Sequence, residues 1–284
     1  MKIQLNDVGF HYSKDTPFEV RALTDINMTF IENKFYAIIG HTGSGKSTVI
    51  QHLNALIKPT EGNIDIDGQV ISHKTKNKHL KPIRKKVGMV FQFAEQQLFE
   101  ETVLKDIMFG PMNYGIAEKD AEARARELFN LFGMDESILH KSPFELSGGQ
   151  MRRVAIMGVL AMKPDVLIVD EPTAGLDPRG QQEIMSLFHQ LQQELGITVI
   201  LVTHQMDQAA RADYLYVMHQ GKVVNQGTPQ EIFSKDLTHF DIHPPEITQL
   251  QRKFETKYNI KLPYTALSIE AFNAMYQEWR ESHA

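Results

Sequence analysis

The stretch GHTGSGKST, residues 40–48, lies between the apolar run YAIIG and the helix-type run KSTVIQHLNAL. It fits G-x-x-x-x-G-K-[ST] at Gly40, Gly45, Lys46 and Ser47, in the strand-to-helix context the motif requires. With His41, Thr42, Gly43, Ser44 and Thr48 it forms a loop whose backbone N–H groups can face phosphate oxygens. Lys46 can neutralise the β- and γ-oxygens of a nucleoside triphosphate, and the Ser47 hydroxyl can ligate Mg2+. A second loop, LSGGQMRR at residues 146–153, opens the apolar-periodic run VAIMGVLAM. Ser147, Gly148, Gly149 and Gln150 offer a hydroxyl, backbone donors and the positive end of a helix dipole, but no lysine. One triphosphate does not need two such cradles from one domain. The simpler arrangement pairs two copies head to tail, each LSGGQ closing over the nucleotide held by the other's lysine loop.

Three further positions fit the same chemistry. VLIVDE is an all-apolar strand that delivers Asp170 and Glu171 to the carboxyl edge of a sheet, where open α/β folds bind ligands. Asp170 suits a water-mediated Mg2+ contact, and Glu171 suits polarising an attacking water. The bland alternative is an acidic pair capping a helix. His204 ends the strand TVILVT at the same edge and can hydrogen-bond a γ-phosphate; alone it reads as a structural histidine. Gln92 ends GMVFQ, and its amide can reach the metal or the water, or remain a surface glutamine.

The elements that must position these residues follow from patterning. Residues 1–38 alternate and are β-rich, GNIDIDGQVI reads as a hairpin turning at Asp-Gly, and residues 102–140 read as helical. Fully apolar strands alternating with helices predict a parallel sheet covered on both faces. HKTKNKHLKPIRKK, residues 73–86, carries seven Lys or Arg and reads as a solvated loop and edge, with anionic lipid headgroups as the sharper reading. After about residue 236 the texture changes, and residues 236–284 read as an appendage of two or three short helices. The 284 residues are 42% hydrophobic and 23% charged, enough for an ordinary core and against disorder. A formal net charge of -5 gives no general pull toward nucleic acid. The absence of cysteine excludes a disulfide scaffold and Cys-ligated metal. No leader and no bilayer-length apolar run is read, so the expected chain is soluble or held at a membrane by something else.

GHTGSGKST, Gln92, LSGGQ, VLIVDE, AGLD at residues 174–177 and His204, in that order, resemble the nucleotide-binding domain of ATP-binding cassette (ABC) proteins over about residues 1–235. The resemblance implies an α/β fold with a P-loop NTPase (RecA-like) core, an antiparallel β subdomain and a helical signature subdomain over about 93–158. It implies ATP and Mg2+ as ligands, Glu171 as general base, Asp177 in the loop linking two sites, and Tyr12 stacked on adenine. A strand-end tyrosine with a solvated hydroxyl is the alternative for Tyr12. TPFEVRAL, FQFAEQQLFEETVLKDIMFGPMNYG and LSGGQMRRVAI are more finely similar to the second of the paired ATPases of energy-coupling factor (ECF) transporters, which take up vitamins or transition-metal ions. That implies a second ABC ATPase as partner (a heterodimer, with a homodimer as the alternative), an integral-membrane coupling subunit, a substrate-binding membrane subunit, and a peripheral place on the cytoplasmic face of the cell membrane. It also implies that residues 236–284 help pair the ATPases. Two departures stand: Ala94 where the family usually has proline, and Lys14-Asp15 where it usually has Pro-Gly. Neither touches catalysis, but Ala94 can loosen the turn after Gln92.

The segment from Gln92 to about Gly110 is expected to couple to a membrane subunit, because Phe91, Phe93, Leu98 and Phe99 are more apolar than a free loop warrants. Packing within the helical subdomain is the alternative. An ATPase subunit of another ABC importer is a competing reading. A DNA-repair or chromosome ABC ATPase would insert a long coiled coil before the signature, whereas 53 residues without heptads intervene here. A P-loop kinase would leave LSGGQ and AGLD without purpose.

Overall fold

The computed structural model describes residues 1–283. The chain opens with an antiparallel sheet. Strands β1 (Ile3–Tyr12) and β2 (Val20–Phe30) pair, and β4 (Glu61–Ile66) and β5 (Gln69–Ile71) extend the sheet in the order β2-β1-β4-β5. Between them run β3 (Phe35–Ile39) and helix α1 (Lys46–Leu53). The short helix α2 (Lys81–Lys86) leads into β6 (Val87–Val90), and α3 (Val103–Asn113), α4 (Glu118–Leu131) and α5 (Gly148–Leu160) follow. Then come β7 (Val166–Asp170), α6 (Pro178–Leu195), β8 (Thr198–Thr203), α7 (Met206–Ala209), β9 (Tyr214–His219), β10 (Lys222–Gly227) and α8 (Pro229–Phe233). The chain ends in α9 (Glu246–Tyr258) and α10 (Ile269–His283).

The second sheet has the order β10-β9-β3-β8-β7-β6 and is parallel except for β10, which turns back on β9. Its apolar strands serve two cores. Ala37 and Ile39 of β3, Leu167 and Val169 of β7, and Val199 and Leu201 of β8 face one; Ile38, Ile168 and Ile200 face the other. A strand buried on both faces cannot alternate apolar with polar, which is why these runs read as continuous. One core joins that sheet to α3 through α6. The other joins it to α1 and the antiparallel sheet. The α/β class, the antiparallel subdomain and the helices between Gln92 and the signature all match expectation.

Two local readings change. Residues 73–86 are not only loop: Lys81–Lys86 are helical, and Leu80 and Ile83 are buried while all seven cations stay exposed. Alternation of two anchors with charged neighbours makes a short amphipathic turn, which a count of charges hides. The appendage is also less separate than its texture implies. Leu237 and Ile242 belong to the main core, and a small cluster around Leu262, Ala266 and Met275, flanked by Phe254 and Phe272, begins only beyond them.

Candidate nucleotide-binding and hydrolysis site

The parallel strands end together, and one cleft of about 630 Å3 opens at that edge. Tyr12, Thr42, Gly43, Gly45, Lys46, Ser47, Thr48, Gln92, Asp170, Glu171 and His204 all line it. Residues 46, 92, 170 and 204, far apart in sequence, gather at the edge of the parallel sheet, and Tyr12, the last residue of β1, joins them from the antiparallel sheet. A cleft of similar size between Arg124, Leu131, Lys163 and Ile197 lies elsewhere and carries none of these phosphate-binding groups.

The loop geometry explains its glycines. A Cβ on Gly40 would stand 2.3 Å from the Met218 carbonyl, and Gly45 caps α1 with φ 101°, a region L side chains avoid. Ser44 is fully buried, and its carbonyl accepts from the Gly221 N–H at 3.0 Å. Gly40, His41 and Ser44 therefore shape the loop from behind rather than line the cleft. Lys46 is 9% exposed and donates to the Gly40 and His41 carbonyls at 2.8 and 3.0 Å. Burial pulls its pKa below the ordinary value, while Glu171 and Asp170 oppose that shift.

Asp170, the last residue of β7, is pushed up to about 6, first by burial and then by the adjacent Glu171, with Lys46 pulling the other way. An oxygen donor held in such a place suits a hard divalent cation, and Ser47 stands exposed in the same cleft as a second donor. Among the described residues no cluster of three or more His, Asp or Glu could hold a metal alone. The donor set thus fits Mg2+ that keeps waters and shares phosphate oxygens. Because the folded pKa is raised above 3.8, ionisation of Asp170 opposes folding. The penalty grows as pH rises from about 4 to about 6 and is full above that, with a ceiling of about 3 kcal/mol. Asp170→Asn is therefore expected to raise the Tm of the ligand-free protein at pH 7.5 by a few degrees while hydrolysis falls; the gain should shrink at pH 4.5, as differential scanning calorimetry at the two pH values will show.

Glu171 follows immediately with φ 46°, a left-handed conformation strained for a non-glycine residue. Its amide donates to the Val202 carbonyl at 2.9 Å, which holds the turn. The carboxylate is 13% exposed and meets His204 Nδ1 at 2.7 Å and the Thr203 hydroxyl at 3.5 Å. Tyr12 presents its ring, 42% exposed, at the far end, steadied by an edge contact to Phe10 and a 3.2 Å hydrogen bond between its hydroxyl and Thr48 Oγ1. Val20, Arg21, Ala22, Gln220 and Gly221 also line this end. Sequence reading did not find them. Gln220 and Gly221 form a turn with both φ values positive.

Ser147, Gly148, Gly149, Gln150 and Asp177 do not reach the cleft. Ser147 caps α5 in a reciprocal box with Gln150: the Ser147 amide donates to Gln150 Oε1 at 3.0 Å and the Gln150 amide to Ser147 Oγ at 3.4 Å. All four residues are exposed. A Cβ on Gly148 or Gly149 would meet nothing within 4 Å. The chain's own fold places no steric demand for glycine there. Asp177 caps α6, accepting from the Gly180 amide at 2.8 Å, so its carboxylate already has a structural partner.

Arg152, in the signature helix, makes a set of cross-fold contacts that the sequence does not reveal. It is 5% exposed and forms a two-pronged pair with Glu95 at 2.7 and 2.9 Å. It also donates to the Pro172 and Ala174 carbonyls at 3.1 and 2.9 Å. One guanidinium thus ties the signature helix to the segment after Gln92 and to the loop after Glu171. Burial opposes ionisation of Glu95, but Arg152 outweighs it and holds that carboxyl below its ordinary value. Arg152→Ala leaves a part-buried carboxylate unpaired and is expected to lower stability by about 3–5 kcal/mol at pH 7. A depressed pKa adds stability above it, so the loss should diminish on acidification through the carboxylate range; urea titrations at pH 7 and pH 4 measure both.

Of the four coupling-segment apolars, Leu98 is buried in the main core and Phe91 packs against the other core. Only Phe93 and Phe99 are exposed, at 41% and 57%. Phe99 meets Phe109 edge-on at 4.8 Å, beside a groove lined by Leu104, Met108, Phe109 and Met112. Packing thus accounts for Phe91 and Leu98, and of the other two only Phe99, through Phe109, adjoins the groove.

Residues 23–174 match the family model described as ABC transporter. The chain is 54% identical over 277 residues to the energy-coupling factor transporter ATP-binding protein EcfA2 of Listeria innocua, covering 96% of each. It is also 54% identical to EcfA2 of Bacillus anthracis, over 95% of this chain and 93% of that one. Among solved structures, cbiO1 from Clostridium perfringens, described as part of the ABC transporter complex cbiONQ, superposes with a TM-score of 0.75 at 36% identity, covering 90% of this chain and 95% of that one. The cassette MJ0796, in a dimeric post-hydrolysis state bound to ADP and Pi, gives a TM-score of 0.70 at 31% identity, over 80% and 98% of the two chains.

Proposed function

The chain belongs to the ABC transporter family, and from that premise we propose that it is the second ATPase subunit of an ECF-type importer, hydrolysing ATP to power uptake through a membrane partner. The observation that carries this reading is the division of the site: lysine loop, carboxylates and switch histidine share one cleft, while the signature loop faces outward with two sterically unneeded glycines.

In this reading adenine stacks on Tyr12 and the phosphates lie along residues 40–48. Ser47, Asp170 and Gln92 hold Mg2+, which when bound offsets charge on the β- and γ-phosphates. Lys46 exchanges its loop carbonyl contacts for phosphate oxygens. Glu171, at the sheet edge beside His204, orients and deprotonates the attacking water, and His204 hydrogen-bonds the γ-phosphate. The developing charge is met from outside by the second ATPase's own signature loop, the counterpart of residues 147–150 here, at the positive end of a helix dipole. Asp177 stays a helix cap in the loop that joins the two sites.

A second, related ATPase completes the pair, and residues 236–284 contribute to it. The α3 groove takes a helix of the membrane coupling subunit in the helix-in-groove mode. Its exposed floor of Phe109 and Met112 is apolar, and Glu100, Glu118 and Glu122 rim it. A separate substrate-binding membrane subunit carries a vitamin or a transition-metal ion, which this chain does not touch. Among the described residues no helix is long and apolar enough to cross a membrane, so attachment to the cytoplasmic face comes through the partner. A mild-detergent pull-down of the tagged chain, read by mass spectrometry, should recover an integral-membrane protein and a second ABC ATPase in similar amounts. Recovery of the chain alone, from membranes as well as cytosol, would count against the reading.

A further inference from the structure

The loop that carries His204 has a partner that nucleotide chemistry does not call for. Asp207, in the first turn of α7, accepts a hydrogen bond at Oδ1 from the backbone N–H of Glu246 at 3.2 Å. Glu246 is the first residue of α9. Its N–H is among those at a helix start that have no partner within the helix, and the partner here comes from the site. The loop is tied inward as well. Gln208, 6% exposed, donates to Thr173 Oγ1 and Gln205 Oε1, both at 2.7 Å. The Gln205 amide donates to Thr203 Oγ1 at 3.0 Å, and that hydroxyl donates to Glu171 at 3.5 Å.

A second contact reaches the same part of the chain from the opposite flank. The ring of His41, in the phosphate loop, lies 5.0 Å from His219, which lies 5.3 Å from Phe240. Residue 246 therefore meets the histidine loop directly, and residue 240 reaches the phosphate loop through His219. Packing of α9 and α10 against each other requires neither contact, because those helices have their own apolar cluster.

We propose that Asp207 is a positioning residue for His204, and that its hydrogen bond to the first amide of α9 links the C-terminal extension to the state of the nucleotide site. A movement of the histidine loop toward a γ-phosphate then pulls on α9, and a fixed α9 holds His204 where hydrolysis needs it. The inference rests on the reading of His204 as the γ-phosphate contact.

The hydrogen bond can be removed from either end. Glu246→Pro deletes the donor at the first helical position, where proline fits a helix, and Pro245 before it is already extended at ψ 150°. Asp207→Ala deletes the acceptor. Asp207→Asn keeps an accepting oxygen, and Glu246→Ala keeps the amide. In the full-length protein purified with its paired ATPase, D207A and E246P should each lower kcat three- to tenfold with KM for ATP within twofold of the parent. D207N and E246A should stay within twofold, and D207A combined with E246P should be no slower than either alone. Hydrogen exchange with Mg2+ and a non-hydrolysable ATP analogue should protect 203–210 and 246–258 together in the parent. Only 203–210 should respond in D207A and E246P. Unchanged kcat in both deletions, an equal fall in D207N and E246A, or an α9 indifferent to nucleotide in the parent would overturn the proposal. H204A separates the two layers. Full turnover in H204A refutes the role of His204 itself, whereas slow H204A with normal D207A and E246P refutes only the link to α9.

Discussion

Glu171→Gln is expected to lower ATP turnover by about 10²- to 10⁴-fold while leaving ATP affinity within about twofold. The substitution keeps the shape of the side chain and an oxygen for His204, which meets the native carboxylate at 2.7 Å. It removes only the capacity to take a proton from water. In the proposed site binding rests on the loop at 40–48 and on Tyr12, which the change does not touch. With hydrolysis stopped and binding intact, the ATP-bound pair should persist, so size-exclusion chromatography with ATP should show a dimer that does not decay. Single-turnover kinetics distinguish this from slow product release. Turnover within tenfold of the parent would show that another group activates the water. The φ of 46° at Glu171 is consistent with that role, since strained backbone is tolerated at functional sites.

Ser147→Arg should likewise separate binding from hydrolysis, but across two chains. ATP should still bind this chain's own loop, because residue 147 lies outside that cleft. Hydrolysis at the site completed by Ser147 should fall by at least about 10²-fold, the scale of losing one donor to a developing oxyanion. The arginine also breaks the cap with Gln150, a loss of about 1 kcal/mol, too small to unfold the chain. Circular dichroism and the Tm report that smaller effect separately. Gly149→Ala isolates the steric part: its Cβ meets nothing in this chain, so stability should hold or rise slightly while turnover drops. If Gly149→Ala is fully active, no second surface approaches the signature loop.

The motifs of the site were legible because each is a run of neighbouring residues whose backbone does the work. The phosphate loop, the strand ending at Asp170 and the capping box at 147–150 carry their own turns and periodicities. The parallel sheet that gathers them, though not its strand order, follows from continuous apolar strands, which have to be buried on both faces. What stayed hidden depends on residues that meet across the fold. Arg152 reads as one of two arginines on a helix, and nothing near it in sequence points to Glu95, 57 positions earlier. Val20, Arg21 and Gln220 join Tyr12 only because β2 and the β9–β10 turn converge there. Leu98 stayed open between a docking surface and the core because the turn after Gln92 gives no periodicity from which to read its direction. Asp207 looked like one acid in a polar loop, since its partner is a backbone amide 39 residues away.

The central claim is that hydrolysis occurs only where this chain's lysine loop meets another chain's signature loop. Turnover per mole of protein, followed on dilution of the purified pair alongside sedimentation of the same samples, tests it most directly. Specific activity should fall in step with the dimer fraction and vanish as monomers dominate. Constant specific activity in samples that sediment as monomers would contradict the claim, because it would mean that one chain holds a complete site.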